Sequence, residues 1–161
     1  LTPLVEAPGL ARAVGVRRLH VKDEGRNPTG SFKARGMSAA VTRARALGAP
    51  GLVVPTAGNA GAAIAAYGAA AGLPVRVYAP RTTPRPILMT IEALGADLRL
   101  VDGHIGDAGR EATAFAAESD FFNVSTLREP YRVEGMKTMG YELVEQLGGR
   151  MPDVIVYPTG G

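Results

Sequence analysis

The sequence has 161 residues, 46% of them hydrophobic, enough for one domain with a substantial core. Eighteen Lys and Arg against 15 Asp and Glu leave a net charge of +3 with no basic run, and aromatics are only 6%, which excludes a nucleic-acid surface. Cysteine is absent and no apolar stretch reaches membrane length, so disulfides, thiolate metal sites, cysteine nucleophiles and spanning helices are excluded; no metal is expected, and a soluble cytoplasmic chain is.

In chain order, the first local signal is Asn27-Pro-Thr-Gly-Ser-Phe-Lys-Ala-Arg-Gly36, read as a turn followed by a helix with Ser31 as its N-cap. Short β-branched or aromatic runs then alternate with longer helical ones. Strands are predicted at Gly51–Pro55, Pro74–Ala79, Ala96–Val101 and Phe121–Val124, and helices at Asn59–Gly72, Pro84–Gly95 and Asp107–Ser119. Gly72 and Gly95 stand where helix C-caps belong, and Asp107 where an N-cap does. A further helix, Tyr131–Leu147, leads to a last strand, Asp153–Tyr157. This alternation is that of βαβ units, so the fold class is α/β: a parallel twisted sheet flanked by helices. In that class ligands bind beyond the carboxyl ends of strands. The windows of interest are therefore Pro55–Gly61, Pro80–Thr83, Asp102–Asp107, Ser125–Arg132 and Pro158–Gly161.

A dinucleotide or nucleoside triphosphate is disfavoured. The glycines of Thr56-Ala-Gly-Asn-Ala-Gly61 lack G-x-G-x-x-G spacing, no acid follows the second strand of the series, and no Walker A sequence exists. Lysine is rare: only Lys22, Lys33 and Lys137 stand among the 18 basic residues. Lys33 falls in the first turn of a predicted helix, where the dipole disfavours an ammonium, a setting that suits an amine able to attack a carbonyl. It reads equally as a solvated lysine snorkelling away from the helix end. The turn Pro55–Gly61 offers backbone N–H groups and the Asn59 amide to an anion. It reads also as a tight turn with glycines at positive φ and Asn59 as a cap. Pro158-Thr-Gly-Gly161 is a possible start of a glycine-rich anion loop.

Taken together, Lys22–Met37, Thr56–Ala60, Tyr131–Leu143 and Asp153–Gly161 resemble the fold-type II pyridoxal-phosphate enzymes of tryptophan synthase beta-like fold, and within them the threonine synthases. The resemblance runs from Leu1-Thr-Pro-Leu4, which looks like the family's opening strand, to the last residue. It implies a pyridoxal 5′-phosphate cofactor in Schiff-base linkage to Lys33, with Asn59 on the phenolic oxygen of the ring. It also implies Thr56, Ala57, Gly58 and Ala60 on the substrate carboxylate, and Gly160 and Gly161 on the cofactor phosphate. Arg132 is implied as partner of the phosphate of O-phospho-L-homoserine, which such an enzyme converts with water to L-threonine. As a residue alone, Arg132 also reads as a surface arginine paired with Glu129 or Glu134. Phe32 is expected to pack beneath the site, and Lys22 and Lys137 to play supporting parts. The implied organisation is a homodimer in which residues 34–127 form a smaller domain and 1–33 and 128–161 belong to a larger one. The first residue, Leu1, and the final Gly-Gly are expected to be cuts in a longer chain. A threonine or serine dehydratase, or an inactive relative, fits the same motifs.

Overall fold

The computed structural model describes residues 1–158. The chain opens with a two-stranded antiparallel ribbon, β1 (Leu4–Glu6) and β2 (His20–Lys22), in which Val5 faces Val21, and a short helix α1 (Pro8–Val14) lies between the two strands. A single 3-10 turn, Glu24–Arg26, then leads towards α2 (Lys33–Ala46). The opening strand therefore starts at Leu4, where the sequence led us to expect Leu1–Leu4.

Next come β3 (Leu52–Pro55), α3 (Asn59–Ala71), β4 (Val75–Pro80), α4 (Arg85–Ala93), β5 (Asp97–Val101), α5 (Ile105–Ser119), β6 (Phe122–Asn123) and α6 (Tyr131–Gln146). The four strands β5-β4-β3-β6 form one sheet in that order, every pair parallel. The expected α/β class is the observed one. As a central strand, β3 is buried on both faces and divides its side chains by their alternation. Leu52 and Val54 join Met37, Ala40, Val41 and Ala44 of α2 and Ala63 and Ile64 of α3 in one core. Val53 points the other way, to Tyr78 and to Ala108 and Ala112 of α5. The 37, 40, 41, 44 spacing on α2 is the buried stripe of an amphipathic helix. Among the described residues no helix is long and apolar enough to cross a membrane.

Gly72 adopts φ 68° and ends α3 as expected, its N–H donating to Ala69 C=O and that of Leu73 to Gly68 C=O. Three local expectations need correction. Asp107 does not precede α5: the helix begins at Ile105, and the Asp107 carboxylate reaches back to the His104 N–H at 2.7 Å as the third residue of a capping box. Ser31 does not cap α2, because its carbonyl rather than its hydroxyl takes the Ala34 N–H, and the hydroxyl is buried without a hydrogen-bond partner among the described residues. Asp153–Tyr157 forms no strand, and Val156 is 93% exposed. An apolar run becomes a strand only beside a partner strand, and among the described residues none lies next to it. Tyr157 is nonetheless fastened: its ring meets Phe32 edge to face, centroids 5.6 Å apart.

Candidate active site

The carboxyl ends of β3 and β6, and the first turns of α2, α3, α5 and α6, surround a cavity of about 1030 Å³. Its walls bring together Lys33, Thr56, Ala57, Gly58, Asn59, Ala60 and Arg132, drawn from three separate stretches of sequence. Gly160 and Gly161 lie outside the described residues.

The β3–α3 loop is shaped by Thr56. Its N–H donates to Tyr78 C=O at 2.9 Å, and its buried hydroxyl accepts from Gly58 N–H at 3.1 Å. Gly58 is extended, at φ −161°, so positive φ does not explain its presence. Gly61 is required by proximity: a Cβ there would lie 2.5 Å from Ile91 Cδ1 and 2.7 Å from Thr56 Cγ2. Gly58, not Asn59, occupies the N-cap position, which leaves the Asn59 side chain on the cavity wall.

Arg132 is not a surface arginine; it is 6% exposed. Its Nη1 donates to Val124 C=O at 2.7 Å and to Thr126 Oγ1 at 3.4 Å, and Nε and Nη2 have no protein acceptor among the described residues. Neither glutamate of the surface-pair reading takes it. Glu134 pairs with Lys137 at 2.6 Å, and Glu129 accepts the N–H groups of Tyr131 and Arg132, closing the start of α6. Burial pushes the Arg132 guanidinium below its ordinary value, and the nearby Glu129 charge opposes this. Lys137 is consequently a surface partner, not a cavity residue.

The cavity also recruits residues that no motif singled out: Ser125, Thr126 and Arg128 from the loop before α6, and Arg110 and Thr113 from α5. The first three fall inside the Ser125–Arg132 window that the strand-end rule marks out. Arg110 and Thr113 lie one and two turns into a helix, where loop-based reasoning does not look. Lys33, Arg110, Arg128 and Arg132 supply four cationic side chains, of which Arg110 is already ion-paired with Asp107, and no described carboxylate lines the wall. Such an enclosure attracts anions carrying several charges. In the segment that leads into Lys33 two hydroxyls, Thr29 Oγ1 and Ser31 Oγ, are buried without partners among the described residues.

Behind Lys33 lies a second polar group unforeseen in the sequence. Arg35 donates from Nε and Nη2 to the two oxygens of Glu24, at 2.7 and 2.9 Å, and from Nη1 and Nη2 to those of Glu142, both at 2.7 Å. Lys22 donates to Glu142 at 2.6 Å, to Gln146 and to the Thr2 carbonyl. Arg35 holds the Glu142 carboxyl far below the ordinary range, and the same two carboxylates raise the Arg35 guanidinium. Burial pushes Glu24 up, but hydrogen bonds from Arg35, Thr2 and Asn27 outweigh it and leave the group lowered. Lys22 is therefore a structural cation that ties the amino-terminal segment to α6.

Comparison with known proteins places this geometry. The family model described as pyridoxal-phosphate dependent enzyme matches residues 1–161. Threonine synthase of Methanosarcina acetivorans is 40% identical over 161 residues, covering 99% of this chain and 39% of that protein. Threonine synthase of Methanocaldococcus jannaschii is 36% identical over 160 residues, with the same coverage of 99% and 39%. The chain thus spans about 39% of the length of these relatives. Among solved structures, a pyridoxal 5′-phosphate-dependent aspartate racemase superposes with a TM-score of 0.84 at 28% identity, over 91% of this chain and 46% of that one. Threonine deaminase isoform 2 from Solanum lycopersicum gives 0.81 at 25% identity, over 90% and 40%.

Proposed function

This chain belongs to the family of pyridoxal-phosphate dependent enzymes, and we propose from that premise that it carries the lysine half of an enzyme converting O-phospho-L-homoserine and water to L-threonine and phosphate. The observation that carries the reading is the cavity in which Lys33, the Asn59 loop and Arg132 meet, where Lys33, Arg128 and Arg132 are cations with no carboxylate in the wall among the described residues. The residues suit the cofactor's chemistry: a primary amine for its aldehyde, N–H and amide donors for its oxygens, and cationic walls for its phosphate.

Lys33 would hold the cofactor through Nζ, Asn59 would donate to the ring's phenolic oxygen, and Gly160 and Gly161 would contribute to the phosphate cradle. When bound, the cofactor supplies an electron sink for carbanions at the substrate's α- and β-carbons. The Lys33 amine would serve as the base and acid that moves protons between those carbons. The turn Thr56, Ala57, Gly58 and Ala60 would take the substrate carboxylate on backbone N–H groups at the head of α3, while the Thr56 hydroxyl, bonded to Gly58, shapes the turn. Arg132 receives the departing phosphate through Nε and Nη2, since Nη1 is already committed to Val124 and Thr126. Residues 34–127 are assigned to a smaller domain, and 1–33 with the chain from 128 on to a larger one, the two joined where α2 crosses α6. We place the enzyme in the cytoplasm as a homodimer.

Borohydride reduction of the cofactor-loaded full-length protein, followed by peptide mapping, should label Lys33, and Lys33→Ala should abolish turnover while the fold persists. A label elsewhere refutes the assignment. Phosphate release from O-phosphohomoserine supports the synthase; 2-oxobutyrate from threonine without it establishes a dehydratase instead. Arg132→Ala should weaken use of the phosphorylated substrate by about 2–5 kcal/mol, the scale for truncating one member of a buried charged pair. An equal loss with an unphosphorylated analogue removes Arg132 from that role.

A further inference from the structure

We infer that the close crossing of α2 and α6, built around Gly36 and Gly135, is the device that sets the position of Arg132 relative to Lys33; the inference rests on the reading above for what the two cations hold. The two helices touch backbone to backbone. A Cβ on Gly36 would stand 2.9 Å from the Arg132 carbonyl oxygen and 3.4 Å from Arg132 Cα. A Cβ on Gly135 would overlap the Arg35 carbonyl oxygen and stand 2.8 Å from Ala39 Cβ. The arrangement is reciprocal. Gly36 follows Lys33 by three residues and Gly135 follows Arg132 by three, so each glycine lies on the helical turn that carries one of the two cations.

The crossing is also locked against sliding. Arg35, between Lys33 and Gly36, donates to Thr138 Oγ1 at 3.0 Å and to both oxygens of Glu142, all on α6. Its other carboxylate partner, Glu24, belongs to the segment that leads into Lys33. One guanidinium therefore joins the chain before Lys33, the helix after it and the helix that begins at Arg132. Gly36, Gly135 and Arg35 are positioning residues: Gly36 and Gly135 are absent from the cavity wall, and so is Arg35. Gly140, on the same helix, has open space where its Cβ would stand, so it serves as a matched control.

The magnitudes follow from the contacts. An alanine at Gly36 must part the helices locally by about 0.5 Å to restore ordinary carbon–oxygen contact, and one at Gly135 by about 1 Å. Misplacing a positioning group by 1 Å costs on the order of 10²-fold.

The experiment uses the cofactor-loaded full-length enzyme with Gly36→Ala, Gly135→Ala and Gly140→Ala. It measures kcat and KM on O-phosphohomoserine, calorimetric affinity for inorganic phosphate, and the visible absorbance of the bound cofactor. Gly135→Ala should lose about 10²-fold in kcat/KM and Gly36→Ala about 10-fold. Both should bind inorganic phosphate more weakly in the same order and keep the cofactor absorbance. Gly140→Ala should stay within about twofold of the parent. In an Arg132→Ala background, Gly135→Ala should bring no further loss of phosphate affinity, because its effect passes through that guanidinium. Variants that fold, hold the cofactor and bind phosphate as the parent does would overturn the inference, as would losses undiminished in the Arg132→Ala background. If Gly135→Ala does not fold, Gly36→Ala, with the smaller displacement, decides. A parent enzyme that releases no phosphate from O-phosphohomoserine sinks the proposed reaction alone; phosphate affinity and cofactor absorbance need no turnover and still judge the crossing.

Discussion

Replacing Glu142 by glutamine should destabilise the protein more than any single surface substitution, and the structure states why. Arg35 and Lys22 face Glu24 and Glu142 in a cluster of two positive and two negative charges, with side chains 7, 10, 16 and 13% exposed in that order. The Glu142 carboxylate accepts from Arg35 twice, from Lys22, and from the Thr2 N–H and hydroxyl. Glutamine keeps one acceptor oxygen and turns an NH₂ group towards donors. It leaves the cluster with a net positive charge in a poorly solvated place. Breaking one partner out of such a pair costs about 3–5 kcal/mol, a large share of the roughly 5–15 kcal/mol that holds a domain folded. The pH dependence carries a second signature. Arg35 depresses the Glu142 carboxyl below its ordinary value of 4.5, so an unfolded chain binds the proton first as the medium acidifies. The stabilisation is complete above that value and is lost as pH falls below it towards the folded group's own value. Urea unfolding of the full-length protein, followed by circular dichroism at neutral pH and in steps through the carboxylate range, should show the parent losing stability in acid. Glu142→Gln should be weaker at neutral pH and shallower in its acid decline. A neutral-pH loss below about 1 kcal/mol, the scale of exposed pairs, would refute the reasoning, and so would an unchanged acid limb.

Met37→Ala removes the largest fully buried side chain from the α2 face of the core and should cost about 2–5 kcal/mol in the same unfolding assay, with little change in cofactor absorbance. Leu127 sits at φ 60° in the turn between Ser125 and Arg128 with its side chain 84% exposed, so its strain is not offset by burial. Leu127→Gly should leave stability unchanged or raise it by up to about 1 kcal/mol, the relief of Cβ–carbonyl crowding in the left-handed helical conformation being offset in part by a more flexible unfolded chain. A clear drop in the unfolding midpoint would show that the leucine side chain makes a contact the turn depends on.

The sequence pattern was most informative where interactions are short in range. The apolar run ending at Pro55 reports a buried strand directly, and Gly72 marks a helix end because only glycine takes that conformation cheaply. Local rules failed by a turn or less at Asp107, whose carboxylate caps from the third helical position rather than the N-cap, and at Ser31, whose carbonyl takes the N–H its hydroxyl could have taken. They failed more deeply at Asp153–Tyr157, because hydrogen bonds of a strand are made with another segment and no property of the run itself supplies one. In the cavity, Lys33, Thr56 and Asn59 were visible as motifs, yet Arg110 and Thr113 were not, since a helix shows no sign in its own residues of which face meets a cavity.

The sequence by itself determined the strand–helix alternation, the parallel class and the identity of the chemically distinctive lysine and asparagine turns. Each of these depends on residues within a few positions of one another. Only the tertiary structure decided that Arg132 is buried with two donors left over, and that Arg35 reaches Glu142 across 107 positions. It alone decided that Gly36 and Gly135 exist to let two backbones touch. Those outcomes depend on which helices pack together, and packing is settled by the whole set of buried surfaces at once rather than by any stretch that can be read alone.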